Sequence, residues 1–99
     1  MPGQRIGALI VDILETYAGD WFTETQIVTM TTSHRTGIDV GSVERTLREL
    51  RTRGYGKAAD KITVTTSSGG LRRRCRKVML ECRQDEQGVL LRVPARNYW

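Results

Sequence analysis

Two stretches of the chain hold side chains whose type and spacing suit the recognition of an anion. In Gly41-Ser42-Val43-Glu44-Arg45-Thr46-Leu47-Arg48-Glu49, the residues Ser42, Arg45 and the adjacent Arg48 and Glu49 recur at three- and four-residue intervals, so on a helix they share one face. A guanidinium on that face can donate two parallel hydrogen bonds to a phosphate or to the O6 and N7 of guanine. Ser42 can bond a base or a phosphate, and Gly41 lets a backbone approach closely. Glu44 either accepts from cytosine or orients Arg48 one turn further on. In the second stretch, Leu71-Arg72-Arg73-Arg74-Cys75-Arg76-Lys77, five of six consecutive residues are cations. An extended chain turns Arg72, Arg74 and Arg76 one way and Arg73 and Lys77 the other, so at least one set meets water or a phosphate backbone. Cations also guard a strand edge against aggregation. Five in six residues, however, repel one another more than guarding requires. A third, polar run, Thr31-Thr32-Ser33-His34-Arg35, adds Thr32, Ser33 and Arg35 as expected phosphate contacts.

Other chemistry finds little to work with. His34 is the sole histidine and has no cysteine or carboxylate at metal-ligand spacing, while Cys75 and Cys82 do not form a Cys-x-x-Cys pair. There is no glycine-rich loop ending in Lys-Ser/Thr, and Asp85-Glu86 fall in a turn where charge is ordinarily solvated. The expectation is a binder and not an enzyme, with no metal, no cofactor and no small-molecule ligand. With 99 residues and 27% charged side chains, the chain is expected to form one domain over residues 1–99, too small for an elaborate catalytic cleft. The formal net charge of +5 suits a polyanionic partner, while arginine's share, thirteen of the sixteen basic residues, fits bidentate recognition of phosphates and guanine edges and equally a genome rich in G and C. No run approaches about 18 apolar residues, and Met1-Pro2-Gly3-Gln4-Arg5 lacks the layout of a secretory signal, so a cytoplasmic protein without a membrane span is expected. The two cysteines are expected to be reduced packing residues on opposite faces of one strand.

The elements that position these residues follow from periodicity. Ile6, Leu9, Ile10, Ile13, Leu14 and Tyr17 lie at helical spacing, giving an amphipathic helix over roughly residues 4–18 that ends near Gly19. Thr23 and Gln26 make a capping-box signature for a second helix over about 23–30. Asp39 is the expected N-cap of a third helix over about 39–53, with Val43, Leu47 and Leu50 as its apolar stripe and Gly54 as its stop. The period then switches to alternation. Strands are expected at Lys61–Thr66, Leu71–Cys82 and Val89–Val93, with turns at Ser67-Ser68-Gly69-Gly70 and Arg83–Gly88, and a short aromatic tail over 94–99. Charge follows the same division: residues 1–40 hold two arginines against five acids, and residues 41–81 hold eleven basic against four acidic side chains.

Helix, helix, longer helix, then a basic hairpin is an order that resembles the winged helix-turn-helix superfamily. The local match is Gly41-Ser42-Val43-Glu44-Arg45-Thr46-Leu47-Arg48-Glu49-Leu50-Arg51-Thr52-Arg53-Gly54-Tyr55, which is similar to the recognition helix and its glycine-aromatic exit, with Thr23-Glu24-Thr25-Gln26-Ile27 similar to the second helix. The resemblance spans about residues 4–93 and implies an α+β fold of three helices with a C-terminal two- to three-stranded antiparallel sheet, the wing, over about 61–93. It departs in two places: the connection from Met30 to Ile38 is longer than the simplest members' tight turn, and the wing is long. What it implies functionally is double-stranded DNA binding by a small transcriptional regulator. Gly41, Ser42, Arg45, Arg48 and Glu49 would face bases in the major groove, and Thr32, Ser33, Arg35, Arg72, Arg73, Arg74, Arg76 and Lys77 would face phosphates. A homodimer through the first helix and the aromatic tail is a further expectation. The same fold also serves structured-RNA or ribosome binding, protein adaptors, and non-specific architectural or recombination factors, and these alternatives stay open at this point.

Overall fold

The structure, a computed structural model, describes residues 5–65 and 71–95, without the side chains of 59–65 and 71–75. The first helix, α1, runs Ile6–Thr16 and is shorter at both ends than its apolar spacing suggests. Leu9, Ile10, Val11, Ile13 and Leu14 are all buried. That surface is wider than one helical stripe, because α1 is covered by two further helices and a hairpin described below. The helix closes at Tyr17. Gly19, with φ 96°, then turns the chain, and its N–H donates to the Val93 carbonyl at 2.7 Å.

Strand β1 is only Phe22–Thr23, and helix α2 follows at Glu24–His34. The expected capping box is present: the Thr23 hydroxyl accepts from the Gln26 N–H at 3.1 Å, and the Gln26 side-chain oxygen accepts from the Thr23 N–H at 2.8 Å. Thr23→Ala removes one half of this exchange and is expected to cost about 1 kcal/mol. For a chain of this size that lowers the thermal midpoint by roughly 4–8 °C, measured by circular dichroism. A midpoint unchanged within error would mean that water caps α2 equally well.

The run Thr31–His34 is helical, which corrects the expected end of this helix near residue 30. The Thr31 hydroxyl donates to the Ile27 carbonyl at 2.7 Å, and that of Thr32 to the Val28 carbonyl at 2.9 Å. Hydroxyls that suit a loop are thus satisfied inside the helix. The connection to the third helix shrinks to residues 35–39, so the long linker expected from Met30 to Ile38 does not exist. Gly37, at φ 81°, makes its turn.

Helix α3, Val40–Arg53, forms as its signals require. The Asp39 carboxylate accepts from the Ser42 N–H at 3.0 Å, Val43, Leu47 and Leu50 are buried, and Gly54 closes the helix in the left-handed region, its N–H donating to the Leu50 carbonyl.

Strand β2, Tyr55–Thr65, begins directly after Gly54 and pairs antiparallel with β3, Leu71–Met79, from Tyr55↔Met79 to Thr65↔Leu71, with an irregularity between Ala59 and Thr63. The single strand expected over Leu71–Cys82 breaks at Leu80, whose N–H donates to the Gly54 carbonyl and whose side chain is buried. The chain then forms β4, Glu81–Asp85, which pairs with β5, Gly88–Arg92, and β5 also pairs with β1. The described strands therefore make two sheets, β2-β3 and β1-β5-β4. This corrects two expectations. The segment at Val89–Val93 does not extend the hairpin, and Cys75 and Cys82 lie on different strands of different sheets.

The core lies between α1, α2, α3 and the two sheets, where Ile10, Leu14, Ile27, Leu47, Leu50, Val78 and Leu91 are almost wholly buried. At the root of the hairpin Gly56, Ala58 and Val78 turn inward, and Tyr55, Lys57, Lys77 and Met79 turn outward.

Candidate functional site

Helix α3 presents the cationic face that its stripe requires. With Val43, Leu47 and Leu50 inward, Arg45, Arg48 and Glu49 are exposed, and none of the three forms an ion pair among the described residues. The expected row does not stay intact. Arg48 lies on the flank toward α2, lining a groove of about 440 Å³ with Glu24, Thr29, Glu44 and Arg51. Across that groove Arg51 donates to Glu24 at 2.9 Å and ties α3 to α2. Glu44 lines the same groove without pairing with Arg48. Ser42 is half-buried, and its hydroxyl donates to the Asp39 carboxylate at 3.3 Å. A side chain at Gly41 would meet that same carboxylate at 3.1 Å. Ser42 is thus tied to the Asp39 cap, leaving Gly41, Arg45, Arg48 and Glu49 as the exposed members of the expected base-facing set.

The expected phosphate-facing set divides more sharply. Thr32 and Ser33 belong to α2; the Thr32 hydroxyl is bonded within the helix, and Ser33 lines an apolar groove of about 350 Å³ with Ile13, Tyr17, Met30 and His34, on the α1 side. Arg35 is half-buried, and its Nε and Nη2 are buried with no hydrogen-bond partner among the described residues. Arg76 turns inward and donates twice to Glu15 of α1, both bonds at 2.7 Å. Lys77 turns outward and is exposed. The side chains of Arg72, Arg73 and Arg74, like the tail residues 96–99, lie outside the described residues.

Three further residues join Lys77 on the outer face. The Lys77 ammonium stands 4.3 Å from the centroid of the Tyr55 ring, and Arg53 brings its guanidinium carbon to 5.2 Å of the same ring. Lys57 is directly opposite Lys77 across the hairpin. Arg53, Tyr55 and Lys57 were not singled out from the sequence, because only the pairing of β2 with β3 brings them to Lys77. A second aromatic-cation group, Trp21 with Arg83 at 4.6 Å and Arg92 at 4.3 Å, sits on the other sheet. There Arg92 also donates to Glu81 at 2.6 Å, so its charge is balanced locally.

Among the described residues no three His, Cys, Asp or Glu side chains gather as a metal site, and no helix is long and apolar enough to cross a membrane. The class that these observations define is an α+β protein of three helices and small antiparallel sheets; among the described residues three of the exposed arginines without a carboxylate partner, Arg45, Arg48 and Arg53, lie on α3. Compared with protein-family models, curated proteins and solved structures, the chain matches none.

Proposed function

We propose that this chain is a winged-helix protein that binds double-stranded DNA, a small transcriptional regulator whose helix α3 enters the major groove and whose β2–β3 hairpin is the wing. One observation carries the reading. Among the described residues Arg51, Arg76, Arg83 and Arg92 each meet a carboxylate, whereas Arg5, Arg35, Arg45, Arg48 and Arg53 meet none, and of these five Arg45, Arg48 and Arg53 are exposed together on α3. Arginines exposed on one helix without counter-ions are available to an external anion. Their planar guanidinium groups suit guanine edges and phosphates alike. The compact turn at residues 35–39 also brings α2 and α3 closer to the helix-turn-helix pattern than the sequence suggested. In this reading Arg45 and Arg48 contact bases, and Arg72, Arg73 and Arg74 contact phosphates from the wing.

The test is fluorescence anisotropy with random and promoter-derived duplexes between 50 and 200 mM salt, roughly the range over which released counterions dominate affinity. Arg45→Ala/Arg48→Ala is expected to lose sequence preference, at about 1–3 kcal/mol for each bidentate contact removed. Absence of any salt-dependent binding to duplex DNA by the unaltered protein would overturn the proposal.

A further inference from the structure

The root of the hairpin carries a charge arrangement that edge protection does not explain. Lys57 and Lys77 occupy directly opposite positions, both exposed, and like charges so placed in an antiparallel pair repel each other. Arg53 adds a third cation at the ring that Lys77 already covers. None of the three pairs with a carboxylate among the described residues, and several acids are committed elsewhere: Glu15 to Arg76, Glu24 to Arg51, Glu81 to Arg92. A solvated edge needs charge. It does not need two lysines at directly opposite positions beside a guanidinium that shares an aromatic ring with one of them.

We infer that Arg53, Lys57 and Lys77, gathered around Tyr55, form a phosphate grip that holds the DNA backbone beside the groove receiving α3. The inference rests on the proposed DNA binding and moves a principal backbone contact from the tip of the wing to its root. The helix supplies the scale. Eight residues separate Arg45 from Arg53, about 12 Å of helix rise, comparable to the roughly 12 Å width of the major groove. A helix that meets base edges at Arg45 therefore brings Arg53 to the phosphates bordering the groove, with Lys77 and Lys57 continuing the same cationic surface onto the hairpin. Tyr55 acts as a positioning residue. Its ring face attracts both cations, so fewer rotamers are lost when a phosphate arrives.

The test uses the full chain and a random duplex DNA across the same salt range. Arg53→Gln/Lys57→Gln/Lys77→Gln is expected to reduce the log–log salt slope by about 2–3, close to one for each phosphate contact removed, and to weaken all sequences equally. Tyr55→Leu, which keeps every cation, should weaken binding about two- to five-fold, while Tyr55→Phe, which keeps the ring face, should bind as the unaltered protein does. Lys57→Glu should raise the thermal midpoint of the free protein and weaken DNA binding together; a purely protective edge would give the first effect without the second. Binding with an unchanged slope in the triple variant would overturn the grip and leave the DNA reading standing. No duplex binding by the unaltered protein would remove both. Tighter binding of duplex RNA than DNA, with the same loss of slope, would overturn the assignment to DNA.

Discussion

Arg76→Ala is expected to destabilise the chain by about 2–4 kcal/mol while leaving the salt dependence of DNA binding unchanged. The Glu15 side chain is only 11% exposed and accepts both of its Arg76 bonds at 2.7 Å. Removing the guanidinium strands a largely buried carboxylate, and breaking such a pair from one side costs about 3–5 kcal/mol in a dry interior. The figure is reduced here because the Arg76 side chain is 40% exposed, so water screens part of the interaction. Glu15 is also the penultimate residue of α1, where the helix dipole disfavours negative charge; the arginine offsets that as well. The double variant Glu15→Leu/Arg76→Leu should recover most of the loss, since an apolar pair removes the stranded charge along with its partner. Urea midpoints report the stabilities, and anisotropy reports the slope. Should Arg76→Ala keep the midpoint and reduce the slope by about one, Arg76 would be the phosphate contact that its place in the basic run suggests, and the tie to α1 would not hold.

This contrast shows what was legible before folding and what was not. Strand alternation already separates Arg76 from Lys77, but which of them turns inward depends on where α1 crosses the hairpin, a contact between residues 61 positions apart. The third helix was readable end to end because every signal is local: Asp39 caps it, Val43, Leu47 and Leu50 stripe it, Gly54 stops it. That stripe also places Arg45, Arg48 and Glu49 outward. Helix α2 was readable at its start, where Thr23 and Gln26 exchange bonds, but not at its end. Thr31 and Thr32 satisfy their hydroxyls as well on carbonyls one turn back as they would in a loop. β1 is two residues long and exists only through Phe22↔Leu91 and Thr23↔Leu90, leaving no periodicity to read. Leu80 reads as an apolar residue within a strand, yet its hydrogen bond to Gly54 is what sends the chain from one sheet to the other. The grip at Tyr55 was hidden for the same reason. Arg53 and Tyr55 are neighbours in sequence, but Lys57 and Lys77 meet only through register.

Gly56→Ala should be among the most damaging additions of a single methyl group to this fold, at about 1–3 kcal/mol, and its sign is diagnostic. An alanine in place of a strand glycine ordinarily stabilises by about 0.5–1 kcal/mol, because the unfolded chain has less freedom to lose. Here a Cβ would collide with Val11 Cγ2 and stand 3.2 Å from Leu50 Cδ2. Both neighbours are enclosed, Val11 at 0% and Leu50 at 1% exposure, so neither can swing into solvent. Relief has to come from separating β2 from α1. The rescue is specific: Val11→Ala removes the colliding methyl and leaves Val11 Cβ at an ordinary 3.8 Å, with the Leu50 methyl at 3.2 Å as the one remaining tight contact of those three. Val11→Ala alone opens a cavity that the alanine at residue 56 partly fills, so the double variant should lose less than the sum of the single variants, with a coupling of about 1–2 kcal/mol. A neutral or stabilising Gly56→Ala would mean that the hairpin does not sit against α1 at this distance. The same substitution reaches the proposed grip from beneath, because Tyr55 and Lys57 flank Gly56 and face the opposite side of the strand. Lifting β2 displaces the ring from Arg53 at the end of α3, so DNA binding should weaken with stability in Gly56→Ala and return with it in the double variant. Arg76→Ala, by contrast, should lower stability while leaving the salt slope unchanged. The close approach permitted at Gly56 therefore links the packing of the core to the placement of the cations outside it.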